Sequence, residues 1–152
     1  MSTIAQLEFA RHHTVGRLER AQAKAWDEQP EGFSNTIRWN AGHIYSSMEY
    51  FISSILPDYT PVHPEWGALF ATGTNPGQWE GQPPSNEELL AALKEQPRRV
   101  SSVVEGKWDE KLAQAITIGP LTMETVGEVV EFVVWHEGTH AGLIDALVRV
   151  TA

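Results

Sequence analysis

Apolar residues recur at spacings of three and four in four stretches of the chain, the pattern of amphipathic helices. In the first, residues 3–28, Ile4, Leu7, Val15, Leu18, Gln22 and Ala25 fall on one stripe, and Pro30 and Gly32 close it. The second, residues 36–56, begins behind Ser34 or Asn35 as a cap and stops at Pro57. The third opens on Ser85-Asn86-Glu87-Glu88, a capping-box signature, and extends to 106, with Pro97 expected to kink or split it. The fourth follows a turn at Gly119-Pro120 and runs from 122 to the end. Apart from the short run Ala115-Ile116-Thr117-Ile118 there is no strand pattern. Residues 57–84, rich in Pro, Gly and Trp, are a long connection with a short helix expected around 65–70. The pattern predicts an all-α fold: one domain over 1–152, a four-helix bundle whose long crossover lies between helices 2 and 3.

Two helices carry polar residues where a core face is expected. In the fourth, Val126, Val129, Val130, Val133, Ile144, Leu147 and Val148 form the apolar stripe. His140 falls near its middle, with His136 on one flank and Glu137 on the other. A buried carboxylate demands a partner, and a cation at this level would compensate Glu137. In the second, the only charged residues are Arg38 and Glu49, which project in nearly the same direction and are expected to face solvent. His43 lies away from that edge on a strip with Asn40, Ser47 and Ser54, flanked by Trp39 and Tyr50, as a ligand beside a small cavity would. His12 and His13 read as surface residues, and His63 as a structural or exposed loop residue.

Composition narrows the function classes. The 152 residues are 41% hydrophobic and 20% charged, ordinary for a globular domain. A net charge of −9 without a basic stripe repels phosphate backbones and anionic membranes, so neither nucleic acid nor membrane is an expected partner. No apolar run approaches the roughly 20 residues of a membrane span, and Glu8, Arg11 and His12 interrupt any signal-peptide pattern. A cytoplasmic location is expected. With no cysteine, disulfides, thiolate ligands and a cysteine nucleophile are excluded, leaving histidine and oxygen to hold any metal.

The run His136-Glu137-Gly138-Thr139-His140 places two imidazoles one helical turn apart on the same face, a spacing that suits one metal ion with the glutamate as a base. It also satisfies the zinc-protease string H-E-x-x-H. Proteases of that kind take a third ligand from downstream, where Asp145 is the only candidate, and Asp145 projects away from His140. The third ligand is therefore expected from upstream, with His43 the best candidate.

Two segments resemble the DinB/YfiT-like superfamily. Trp39-Asn40-Ala41-Gly42-His43-Ile44 is similar to its W-x-x-G-H-I element on the second helix, and His136 through Gly142 to its H-x-x-x-H-x-G element on the fourth. The resemblance covers the whole chain in helix order and length. It implies a four-helix bundle, a homodimer, and nickel or zinc held by His43, His136 and His140. Many members carry glutamine where this chain has Leu143. Three neutral imidazoles leave metal positions open for water or substrate. By resemblance, the first expectation is transfer of a low-molecular-weight thiol, such as bacillithiol, mycothiol or glutathione, to a small-molecule electrophile. The alternatives are a metal-dependent hydrolase with Glu137 as catalytic base and a non-catalytic metal or small-ligand binding protein. The 57–84 connection, with Trp66 and Trp79, is expected to lie over the pocket.

Overall fold

A computed structural model describes residues 2–152. Four long helices make the body: α1 (Thr3–Arg20), α2 (Ile37–Ile55), α4 (Asn86–Val104) and α5 (Val126–Val150), with a single turn, α3 (Gly67–Phe70), in the crossover between α2 and α4. Both α1 and α2 pack against α5 and against α4. The core divides along the bundle. One cluster gathers Leu18, Trp26, Ile37, Ile44, Tyr45, Phe70, Leu93 and Ile144, and the other Leu7, Met48, Ile52, Val100, Val126, Val130 and Val133.

The helix starts follow their caps. The Ser85 hydroxyl accepts from Glu88 N–H while the Glu88 carboxylate accepts from Ser85 N–H, and Thr125 and Glu128 repeat the arrangement at the start of α5. The fourth helix therefore begins at Val126 and not at 122. Residues before it form β2 (Leu121–Thr125), which pairs antiparallel with β1 (Lys111–Ile118). Gly119 turns the hairpin with φ +56°, a conformation open to glycine. The run at 115–118 thus belongs to a longer strand. Its weak signal has a physical cause: β1 is largely exposed, so its apolar residues do not alternate strictly.

Three other expectations change. The first helix stops at Arg20 and a 3₁₀ turn over Ala23–Asp27 follows, so that Ala25 and Trp26 can enter the core. Pro97 neither ends nor splits α4, which continues through it to Val104. Proline has no N–H for the carbonyl four residues back, Leu93, and that carbonyl instead accepts from Arg11 Nη1 at 2.7 Å. Arg38 and Glu49 are buried, not solvent-facing. Each pins one end of the crossover: Arg38 donates to Asp27, the Pro84 carbonyl and Asn86, while Glu49 accepts from Tyr59, Val62 N–H, Gln96 and Arg99. A charge on an otherwise apolar helix is tolerated inside when its hydrogen bonds are complete, and here the crossover completes them together with Asp27 and α4.

The crossover is packed by its own side chains. Phe70 lies in the core beneath α2, against Gly42. A Cβ at position 42 would sit 2.4 Å from the Phe70 ring, so glycine is what allows this approach.

Candidate metal centre

The three histidines singled out by sequence converge. One nitrogen from each of His43, His136 and His140 lies within 4.8 Å of the others, one imidazole from α2 and two from successive turns of α5. Ring centroids are 4.5 Å apart for His43–His140, 4.6 Å for His136–His140 and 5.0 Å for His43–His136.

Neighbours fix which nitrogen points inward in His43 and His140. His43 Nδ1 lies 2.6 Å from the Phe70 carbonyl, which can only accept, so Nδ1 carries the proton and Nε2 is bare. Trp39, one turn earlier, stacks on the His43 ring at 4.5 Å and 12° and is itself tied to Thr74 through Nε1. The Trp-x-x-Gly-His spacing is thereby explained: tryptophan braces the ring, glycine admits Phe70, and Phe70 sets the tautomer. Asn40 does the same for His140. Its Nδ2 donates to the Thr36 carbonyl, which leaves Oδ1 to accept from His140 Nδ1 at 2.8 Å. Such outer hydrogen bonds orient ligand imidazoles and raise their basicity.

The donor set fits a divalent ion. His43 Nε2 and His136 Nε2 face each other at 3.1 Å. Nitrogens sharing one ion at bonds of about 2.0–2.1 Å lie about 2.9–3.4 Å apart, so this separation suits two ligands of one metal. Burial depresses all three imidazoles: His136 is brought down to about 4 by burial and the neighbouring His43, and His140 to about 3 by burial, His43 and His136. His43 is lowered by burial against the opposing pull of the Phe70 carbonyl. At neutral pH the three rings are uncharged and can donate lone pairs without releasing protons.

The expected cation beside Glu137 is an arginine. Arg11, from α1, donates through Nε to Oε1 at 2.7 Å and through Nη2 to Oε2 at 3.1 Å, and the Thr14 hydroxyl adds 3.1 Å to Oε1. Both carboxylate oxygens are thus engaged by α1. Sequence reasoning missed Arg11; the available signal was an arginine one turn from Leu7 and Val15, on the apolar side of α1. His12 and His13 are exposed, and His63 stacks on Trp66 in the crossover, away from the cluster.

A groove of about 600 Å³ opens beside His136, between α2, α5, the crossover and the tip of the hairpin. Trp66 and Trp79 do not line it. Trp66 packs on Tyr45, and Trp79 donates to the Leu69 carbonyl, so the crossover contributes Gly67, Ala71 and Thr72 instead. Ser47, on the groove side of α2, has its hydroxyl 3.4 Å from His43 Nε2.

Asn40→Ala is expected to weaken metal binding by about 10–100-fold, the usual cost of losing an outer hydrogen bond to a ligand histidine. Competition with a colorimetric chelator reads the change, and an unaltered affinity would mean that His140 does not ligate through the nitrogen Asn40 selects.

No helix among the described residues is long and apolar enough to cross a membrane. The comparison with curated proteins returned no match. A sequence model of the DinB superfamily matches residues 6–144, a span that takes in both histidine elements, the whole of α2 and α4 and most of α1 and α5. The chain belongs to the DinB superfamily.

Proposed function

We propose that the protein is a metal-dependent S-transferase that moves a low-molecular-weight thiol onto a small electrophile, with His43, His136 and His140 as ligands of a nickel or zinc ion. The observation that supports this reading most strongly is the convergence of three uncharged imidazoles at the edge of a groove. His43, His136 and His140 would hold a divalent ion, whose Lewis acidity would favour the thiolate form of a thiol near neutral pH.

The rest of the work belongs to side chains of this chain. Asn40 and the Phe70 carbonyl keep the inward nitrogens of His140 and His43 free of protons. The groove lets a second reactant approach from the His136 side and sheds water from its apolar walls. With no cysteine in the chain, the sulfur comes from a cosubstrate. Hydrolysis with Glu137 as general base would require that carboxylate to leave Arg11 and Thr14. Glu137 is better read as a positioning residue that holds α1 to α5 at the level of the ligands. The homodimer implied by the resemblance and the cytoplasmic location expected from the sequence belong to the same reading, with Phe9, exposed on α1, as a candidate contact between copies.

Incubation of the metal-loaded protein with bacillithiol, mycothiol or glutathione and 1-chloro-2,4-dinitrobenzene tests it. A carbon–sulfur bond forms, chloride leaves and the thiol proton passes to solvent, and the thioether is followed by absorbance. Turnover above the uncatalysed reaction of thiol with arene is expected only when thiol and metal are both present, with none in His43→Ala. Ester or amide turnover without thiol that Glu137→Gln abolishes would establish hydrolysis instead. Bound metal without turnover with any thiol or electrophile would leave a binding protein.

A further inference from the structure

One wall of the groove beside the histidines is aromatic. Trp135, Phe132, Phe51 and Tyr50 form a continuous aromatic row, with centroids 5.6 Å, 5.3 Å and 5.4 Å apart in that order, and Phe132 continues to His136 at 6.2 Å and 30°. Tyr50 and Trp135 at its rim are 68% and 63% exposed, and Ile118 reaches the same groove from the hairpin. Large aromatic rings left in water around a concavity are a surface awaiting a ligand.

One further feature restricts what that ligand is. No lysine, arginine, aspartate or glutamate lines the groove, so an ionic group entering it would lose hydration without gaining a counter-charge. Thiols that carry carboxylates are poorly matched to it.

We propose that the groove is a binding subsite for an uncharged, flat aromatic molecule. Its ring packs on the Phe132–Trp135 wall. In the transfer reaction proposed above this molecule is the electrophilic acceptor, and only that assignment, not the binding, rests on the preceding reading.

Calorimetric titration with 2-naphthol and with 2-naphthalenesulfonate, on metal-loaded and on chelator-stripped protein, tests the subsite. The expected result is saturable binding of one 2-naphthol per chain in both forms, with the sulfonate at least tenfold weaker. Trp135→Ala, at an exposed position, is expected to weaken 2-naphthol at least tenfold at unchanged metal content. No saturable binding, equal affinity for the sulfonate, or indifference to Trp135→Ala overturns the proposal. So does a dimer that Trp135→Ala dissociates, which would make the groove a contact between copies. If 2-naphthol binds as expected but the protein takes up no metal, the subsite stands and the metal reading falls; metal uptake without 2-naphthol binding gives the reverse.

Discussion

Arg11→Met is expected to destabilise the fold by about 3–5 kcal/mol, the cost of leaving one charge of a buried pair without its partner. Arg11 is 3% exposed and Glu137 1%, so water cannot replace the lost contacts. The guanidinium also serves more than the carboxylate. Its Nη1 fills the Leu93 carbonyl that Pro97 leaves without a helical donor. Methionine keeps most of the stem volume and removes all of these donors, so the loss is electrostatic and hydrogen-bonding in origin, with little cavity. The double variant Arg11→Met/Glu137→Leu is expected to regain much of the stability, because it removes the stranded charge together with the cation. Denaturant midpoints of the two variants and wild type give the comparison. A loss below about 1 kcal/mol in the single variant, the range of an exposed pair, would show that the pair is not sealed from solvent.

The second large effect is linkage between metal and folding. A metal bound only by the native chain stabilises it by about 2.7 kcal/mol when its free concentration is 100 times the dissociation constant. Wild type should therefore unfold at higher denaturant in the presence of nickel or zinc. His43→Ala and His140→Ala should show no such shift, since each removes one of three convergent nitrogens. The two substitutions test different helices, α2 and α5, and equal loss in both means that one ion bridges them. Glu137→Gln should retain the shift, because Glu137 faces Arg11 and Thr14. A metal-induced gain that survives His43→Ala would place the ion elsewhere.

The histidine cluster was legible in sequence because each part of it leaves a local mark. A histidine in a valine-rich stripe, a second one turn away, and a third on a helix nearly free of charge all stand out against helical periodicity. The clasps around the cluster left weaker marks. Asn40 shows only as a polar residue on the His43 strip, and nothing in sequence announces that the Phe70 carbonyl, 27 positions away, sets the His43 tautomer. Arg38, Glu49 and Arg11 were hidden for one shared reason: a charged residue in an amphipathic helix reads as solvent-facing, whereas their partners come from distant segments that complete a buried network. The hairpin was partly visible through Ile116 and Ile118, and the Thr125-x-x-Glu128 capping pattern marks where the last helix starts. Gly142 meets no neighbouring atom within 4 Å of its added Cβ, and nothing in the structure explains glycine at that place.

The most direct test of the three-histidine centre is elemental analysis of the purified protein, before and after reloading with nickel or zinc, beside His43→Ala, His136→Ala and His140→Ala. One ion per chain in wild type, lost in all three variants while circular dichroism shows the helices intact, is the predicted result. A wild-type chain that neither carries nor takes up a divalent metal would contradict it and leave the three imidazoles as packing residues of the core.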